Sequence, residues 1–477
     1  MIKWGINAIN HDASLSVFYK DKCVFASHSE RFSKVKNDSF LNQALIDYAL
    51  QFGKPDEIIW SEKPYLKKFR QLITLDERLF DITPKNHLRQ FGIKAPITYI
   101  NHHESHAAAA AYTSGFDESL VFVFDGIGEF DTISVWKHHG SELKCVHKQK
   151  YYNSLGLFYS AFTQLVGLKP NEEEFILMGM SGYGSPIYTS ILFKKYFKLD
   201  YPNVYLKENL HKGVDFLYIN KFDVASSVQK IYEKITQNIC EHFKNKYKIN
   251  NACFSGGCSL NCLANSTYHS IFDKVWVYPN SGDAGNSYGA VLSTIRKQHH
   301  YDPYIGYNIQ KNVDISKIIE ELKKGKIVAV ANGKAEFGPR ALGNRSLIAD
   351  PRVHMIQDQV NLVKRREKFR PFAPSILEEN FKDIFETPVD HSRYMNFVFK
   401  NKHSKDFDGI THIDGTSRVQ TVDKDSNTIF RSILLEWKRE TGIPLLLNTS
   451  LNIKGQPLIN NEQDAKEFFI KYNIKVF

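Results

Sequence analysis

Long apolar runs are missing from this 477-residue chain. No stretch approaches the roughly 18 residues that a membrane-crossing helix needs, and mean hydropathy is -0.36. Cysteine is scarce. The six are Cys23, Cys145, Cys240, Cys253, Cys258 and Cys262, too few for a disulfide scaffold. None forms a C-x-x-C pair, so structural zinc is not indicated, and reduced, buried thiols are the expectation. A strong excess of one charge is also lacking. The 62 Lys and Arg against 52 Asp and Glu leave +10, which admits anionic ligands without demanding nucleic acid. Low-complexity tracts are absent. Met1-Ile2-Lys3-Trp4-Gly5 reads directly into a strand, without the charged and then apolar segments of a secretory signal. A cytoplasmic protein is therefore expected. With 42% hydrophobic and 24% charged residues, what remains is ordinary globular composition with length for two to four domains.

The chain opens as strand, polar turn, strand, short turn, strand. The turn holds Asn10-His11-Asp12-Ala13-Ser14. A second unit of this kind follows: Leu120–Phe124 ends in Asp125-Gly126-Ile127-Gly128-Glu129, and Thr132–Trp136 resumes as strand. Between them, strand-like Ile97–Ile100 leads into Asn101-His102-His103-Glu104-Ser105-His106 and the strongly helical run Ala107–Ala111. A duplicated hairpin-and-helix plan is the pattern of actin-like folds. Residues 225–247 read as helix. Ala252–Phe254 enters the Gly-rich turn Ser255-Gly256-Gly257-Cys258-Ser259-Leu260-Asn261. Val275–Val277 leads to Ser281-Gly282-Asp283-Ala284-Gly285, with a helix over 287–296. Residues 299–313 read as an interdomain connection. Helix 314–324, strand Ile327–Val330 and a polar Gly/Arg-rich loop follow.

His102 and His106 stand at i, i+4, so both imidazoles share one helix face. With Asp125 and Asp283, each at a strand end beside glycines, they form a donor set suited to Fe(II), Mn(II) or Zn(II). A solvated helix-start cluster is the alternative. The Gly126/Gly128 and Gly256/Gly257 turns are of the kind that lets main-chain N–H groups approach phosphates or adenosine, although tight turns look the same. Further on, Arg340 and Arg345 lie in Glu336-Phe337-Gly338-Pro339-Arg340-Ala341-Leu342-Gly343-Asn344-Arg345-Ser346. Five of the seven residues from Lys364 to Arg370 are basic. That density suits a triphosphate or carbamoyl phosphate, or else a solvated face. Leu445–Leu447 is a buried strand ending in Asn448-Thr449-Ser450.

As an ordered set, these motifs resemble the NodU/CmcH family of O-carbamoyltransferases. The matching residues include His11-Asp12-Ala13-Ser14, His102-x-x-x-His106, Asp125-Gly126-x-Gly128-Glu129, Ser255–Asn261 and Gly282-Asp283-Ala284-Gly285. They continue with Glu336–Ser346, Arg366-Glu367-x-Phe369-Arg370-Pro371-Phe372, Asp414-Gly415-Thr416-x-Arg418-Val419-Gln420 and Asn448-Thr449-Ser450-x-Asn452.

The resemblance implies an α/β protein. Residues 1–305 would be a duplicated actin-like (ASKHA) carbamoyl-transfer domain, and 306–477 a YrdC-like domain that forms carbamoyladenylate from carbamoyl phosphate and ATP. The carbamoyl group would then move to a hydroxyl of a sugar, nucleoside or secondary metabolite, with AMP leaving. The resemblance assigns His102, His106, Asp125 and Asp283 to a metal, usually Fe(II), with Mn or Zn as substitutes. Mg is expected with ATP. His11 becomes the candidate base, with Lys364 and Arg418 catalytic. Gly126, Gly128, Gly256, Gly257, Asn261, Arg340, Arg345, Arg366, Arg370, Asn448 and Ser450 become nucleotide or carbamoyl contacts. The expected partner is a small hydroxyl acceptor, and no membrane. Nucleic acid is not required, and a homodimer is the family-level expectation. A threonylcarbamoyl-type tRNA-modifying enzyme and a catalytically inactive nucleotide-binding homologue are the alternatives. One departure stands out. The family's Glu-Gly-Lys-x-Met-Gly is here Glu174-Phe175-Ile176-Leu177-Met178-Gly179, without the Gly and the Lys.

Overall fold

The computed structural model describes residues 1–74, 82–426 and 428–477. Backbone contacts divide them into one unit of Met1–Ser33 with Asn37–Tyr301, and a second of Asp302–Phe477 with Lys34–Lys36. Among the described residues no helix is long and apolar enough to cross a membrane.

In the first unit, β1 (Ile2–Asn7), β2 (Ser14–Tyr19) and β3 (Lys22–His28) form an antiparallel meander. β4 (Glu57–Trp60) and β5 (Ile97–Tyr99) add in parallel beyond β1, giving the order β3-β2-β1-β4-β5. The plan then repeats. β6 (Glu118–Gly128), β7 (Asp131–His139) and β8 (Glu142–Lys150) are antiparallel. A small hairpin of β9 (Phe197–Asp200) and β10 (Asn203–Leu206) intervenes. β11 (Asn251–Ser255) and β12 (Lys274–Val277) then join in parallel, in the order β12-β11-β6-β7-β8. Two sheets with one connectivity and one pattern of strand directions are the duplicated actin-like architecture expected from the paired hairpins.

Two helices set the geometry of this unit. His102–Thr113 is buried along nearly its whole length, as a helix without a polar face must be. Asn286–Ile295 packs against it. Gly289 sits at their crossing, where a Cβ would lie 2.0 Å from the Ser105 carbonyl oxygen and 2.9 Å from the Ala109 Cβ. On another face of the same helix, a Cβ on Gly5 of β1 would meet the Ser287 carbonyl at 1.8 Å. Glycines and the alanine run thus bring main chain against main chain.

The second unit is also α/β. β13 (Tyr304–Ile309) pairs antiparallel with β15 (Gly333–Glu336). Part of the expected connection is therefore a strand. Its pairing is irregular between Tyr304 and Asn308, which explains the missing alternation. The main sheet comprises β14 (Val328–Ala331), β16 (Arg345–Ala349), β17 (Ala373–Leu377), β21 (Gln420–Val422) and β22 (Leu445–Ser450), ordered β14-β16-β22-β17-β21. β18 (Phe385–Glu386), β19 (Val398–Asn401) and β20 (Thr416–Arg418) form a side sheet. On one face of the main sheet, Val330, Ile348, Leu377, Val422 and Leu446 pack with Ile318, Phe430, Ile433 and Trp437 from two helices. Alternation places Ser346, Asn448, Ser375 and Gln420 on that same face, two residues from Ile348, Leu446, Leu377 and Val422. One sheet face thus passes from apolar to polar. Leu347, Leu451 and Phe468 pack on the opposite face.

A Gly289→Val substitution tests the helix crossing. It must push the two helices apart, and a loss of about 2 kcal/mol or more is expected from overpacking against main chain. Thermal denaturation reads the shift.

Candidate functional site

The Asn101 side chain caps the His102–Thr113 helix by accepting from the Glu104 N–H at 3.3 Å. The helix therefore begins at His102, and its first turns hold both His102 and His106. Asp125 comes from β6, and Asp283 from the turn before Asn286–Ile295. The four side chains meet. One ligand atom from each lies within 4.8 Å of all the others. The two Nε2 atoms are 3.2 Å apart. His102 Nε2 lies 3.4 Å from an Asp125 oxygen and 3.5 Å from an Asp283 oxygen, which is 3.6 Å from His106 Nε2. First-row metals take N and O donors at about 2.0–2.2 Å, so bound donors stand roughly 3–3.5 Å from one another. The four separations given, 3.2–3.6 Å, lie close to this range, within a set that spans up to 4.8 Å.

Its electrostatics fit a cation. Burial opposes charge on His102, but Asp283 and Asp125 outweigh it, and the imidazole is held well above its ordinary range. Burial likewise opposes the charge on Asp125, yet the His102 hydrogen bond brings its carboxyl down to about 2. Asp283 is pushed well below its usual range by both histidines, against burial. In this arrangement positive charge on His102 lies between the two carboxylates. A metal cation supplies the same balancing charge.

The supporting contacts orient the donors. Ser255 Oγ donates to the Ser281 carbonyl at 3.5 Å and lies 3.1 Å from His106 Nδ1. It therefore accepts from Nδ1–H and leaves the His106 Nε2 lone pair facing the cluster. Asp125 Oδ1 accepts from the Gly257 N–H at 3.0 Å, and Asp283 Oδ2 accepts from Asn10 at 3.4 Å. His102 Nδ1 is buried without a hydrogen-bond partner, so packing holds this ring. A Cβ on Gly128 would fall 2.2 Å from its Cδ2.

Several expected ligand contacts therefore have other tasks. Gly128 makes room for His102, and Gly257 directs Asp125. Gly256 turns the chain at φ +92°, with no space for a Cβ beside the Phe124 carbonyl at 2.2 Å. The Gly126 carbonyl accepts from Ser154 Oγ at 2.7 Å. Asn261 caps the helix Cys262–Thr267 and pairs amide to amide with Gln229 at 2.9 and 3.0 Å, which engages its side chain within the fold. His11 bonds Asp12 at 3.0 Å through Nδ1. Burial lowers its pKa, but the Asp12 hydrogen bond and charge raise it to about 9.

In the second unit, burial first, then the Arg370, Arg418 and Arg340 charges, push the Arg366 pKa well down. These four guanidiniums are neighbours in a half-buried cluster whose carboxylate is Glu367, 3.5 Å from Arg370. Arg418 Nε is buried without a hydrogen-bond partner. Lys364 is fully buried beneath them. Its ammonium donates to the Ser450 carbonyl, to Ser450 Oγ at 3.1 Å and to Asn452 Oδ1 at 2.9 Å. Burial, then Arg366 and Arg370, push its pKa well down. All three N–H groups of the charged form are engaged, so Lys364 ties the end of β22 and presents no free donor.

Arg345 is a correction. It is fully buried, and its guanidinium donates to the main-chain carbonyls of Tyr307, Asn332, Gly333, Asn344 and Asn460 at 2.8–3.3 Å. It braces the unit and has no donor left for a ligand. Asn448 is buried and bonded to Ala341, Ser375 and Gln420 through Nδ2.

Comparison with known proteins agrees with this layout. Residues 59–292 match the family described as carbamoyltransferase N-terminus, and 319–477 match carbamoyltransferase C-terminus. An uncharacterized protein of Synechocystis sp. is 30% identical, with 98% of this chain and 94% of that protein covered. Nodulation protein NolO of Bradyrhizobium diazoefficiens is 33% identical over 78% of this chain and 76% of its own. An uncharacterized protein of Methanocaldococcus jannaschii is 31% identical, covering 97% and 95%.

The chain belongs to the carbamoyltransferase family. The two carbamoyltransferase models fall one in each structural unit, the first around the His/Asp cluster and the second around the arginine cluster.

Some residues of this carbamoyltransferase were not singled out from sequence. Glu129 is buried, and burial raises its pKa to about 7 despite the Lys63 N–H it accepts at 2.7 Å. It also accepts from Asn101, the cap of the histidine helix. Glu336 Oε1 accepts main-chain N–H groups of Leu342 and Asn344 at 2.7 and 2.9 Å, shaping the loop that carries Arg340. Glu129, Glu336 and Asn452 all lie inside quoted motifs. Ser255 and Gln420 also stand within quoted motifs, and Asn10 stands in the first turn beside His11.

Gly128→Ala puts a methyl group into the His102 ring. The expected result is a folded protein that retains at least tenfold less metal, since outer-shell changes typically cost 10–100-fold in affinity. Metal analysis after dialysis against Fe(II) or Zn(II) measures it.

Proposed function

We propose that this enzyme is an ATP-dependent O-carbamoyltransferase that activates its carbamoyl group in the second unit and transfers it in the first. The observation that carries the reading is the contrast between the two clusters. One is a buried donor set of two histidines and two carboxylates. The other is a concentration of guanidiniums with the Glu367 carboxylate beside it.

Carbamoyl phosphate, ATP and water would give carbamoyladenylate, phosphate and pyrophosphate. Carbamoyl phosphate loses its phosphate to water. A carbamate oxygen then bonds the α-phosphorus of ATP as the bond to pyrophosphate breaks. Arg340, Arg366, Arg370 and Arg418 would bind the phosphates and stabilise charge on the departing pyrophosphate. Lys364, fixed by Ser450 and Asn452, holds the floor of that site. Mg is the expected companion of ATP.

Transfer requires an acceptor hydroxyl to bond the carbamoyl carbon as the bond to AMP breaks. His102, His106, Asp125 and Asp283 would hold the metal, with Fe(II) our choice and Mn or Zn able to replace it. When bound, it supplies Lewis-acid charge stabilisation. His11 would take the hydroxyl proton, a role open to its neutral form. The acceptor class is a sugar, nucleoside or secondary metabolite.

Purified protein given carbamoyl phosphate and ATP should release pyrophosphate, and AMP once an acceptor is added. Mass spectrometry should find a product about 43 Da heavier, a carbamoyl group in place of hydrogen. His102→Ala separates the two halves: transfer should fall at least 100-fold while pyrophosphate release continues. If both stop together, the division is wrong. Absence of nucleotide turnover in metal-loaded protein refutes the reading as a whole.

The pH dependence follows from His11. Its pKa is raised to about 9, so the neutral base is scarce below that pH and populated above it. Transfer should climb about tenfold per pH unit from 7 and level off near 9. His11→Ala should slow transfer by about 100-fold or more and abolish that rise in a pH–rate profile.

A further inference from the structure

The turn between β1 and β2 sets Asn10 against Asp283 and carries His11. Its main chain is strained. Ile9 stands at φ +65° and Asp12 at φ +54°. A β-branched residue in the left-handed region is an outlier, and such strain persists only where the surroundings over-determine it. Those contacts are present. The Ile9 N–H donates to the Ser39 carbonyl and the Ala13 N–H to the Asp38 carbonyl, each at 2.7 Å. Asn7 Nδ2 donates to the carbonyls of His11 and Asp12 at 3.3 and 3.2 Å, and its Oδ1 accepts from Ser61 Oγ at 2.8 Å. The Ile9 carbonyl accepts from Lys67 Nζ at 2.6 Å.

That last donor comes from far along the chain. Lys67 lies on the helix Pro64–Thr74 and is 6% exposed. Its ammonium also donates to Oε2 of Glu62, itself 5% exposed, at 3.0 Å. Lysine is almost never fully buried unless paired, and Glu62 supplies the pair. A structural ion pair needs nothing more. Here a second bond reaches the carbonyl of the strained residue, one position before Asn10. It is charge-assisted, a class roughly twice as strong as neutral hydrogen bonds. The segment that follows β4 thus grips the turn twice, through Ser61 on Asn7 and through Lys67 on Ile9.

We propose that Lys67, with Glu62 as its counter-charge, is a positioning residue of the first unit: it holds the Ile9 carbonyl and so fixes the turn that sets Asn10 against Asp283 and carries His11. This rests on the metal assignment above. Freed of the ammonium, Ile9 can leave its strained conformation. Asn10, the next residue, then withdraws from the Asp283 carboxylate. Partners that orient ligating carboxylates are worth 10–100-fold in metal affinity, so the effect of Lys67 should reach the cluster through Asn10.

The experiment uses the full chain with Zn(II) alone as the probe. Lys67→Met is combined with Glu62→Gln, because Lys67→Met by itself leaves a carboxylate buried without its partner. In the combined variant, amide hydrogen exchange over residues 8–14 should quicken at least tenfold, while the peptides of β6 and β7 keep the wild-type rate. Zn(II) affinity, measured against a competing chelator, should fall at least fivefold. Glu62→Gln alone keeps the ammonium on the carbonyl and should cost less than twofold. Asn10→Ala should weaken binding by itself, and adding the combined change to it should weaken binding by less than twofold more. A merely structural pair gives neither of these last two results. Wild-type exchange in the turn, exchange that rises throughout the first unit, or an undiminished loss in the Asn10→Ala background overturns this assignment alone. A wild type that binds no Zn(II) overturns the metal assignment and this one with it.

Discussion

Two carboxylates withdrawn from water within reach of two imidazoles set the terms for the first unit. Asp125 and Asp283 stay ionised there because positive charge is close. Such a group of like-charged and basic side chains is stable only while its geometry is held, since removing one partner leaves the others uncompensated. Much of the surrounding structure serves that end. Asn101 fixes where the histidine helix starts, and Glu129 fixes Asn101. Gly289 fixes how far that helix stands from the one that follows Asp283. The duplicated sheets supply the strand ends from which Asp125 and the Asn10 turn project.

The second unit faces the opposite imbalance. Positive charge gathers at Arg340, Arg366, Arg370 and Arg418 with few carboxylates to meet it. Here the same side chain takes two forms. Arg345 has carbonyls for every donor and is structural, whereas the Arg366 group lies half-buried and mutually repelling. The two clusters thus differ in the sign of the charge they gather.

How much of this was legible in the sequence depends on what each residue type can reveal. The repeated hairpins, the alanine helix and the His/Asp set are patterns of spacing, and spacing survives folding. They predicted the duplicated sheets and the four residues that meet. Glycines and asparagines are different, because one letter serves a ligand turn, a helix cap or a tight contact equally well. Gly128 was read as part of a phosphate turn, and it accommodates an imidazole. Asn261 was read as an adenosine contact, and it is a cap. Arg345 and Arg340 share one motif, five residues apart, but only the fold decides that one points inward to carbonyls. The strand Tyr304–Ile309 escaped notice because its irregular pairing breaks the period of two. The polar network of Ser375, Gln420 and Asn448 draws on three strands distant in sequence, and no local pattern announces it.

Arg345 also bears on the order in which the molecule can be completed. The carbonyls it joins belong to segments spread from Tyr307 to Asn460. A nascent chain that has emerged only as far as the arginine cluster still lacks two of those hydrogen bonds, and holds a cation it cannot yet bury. The second unit therefore becomes native only once Asn460 is available, while the first unit, which reaches no further than Tyr301, can be complete before it.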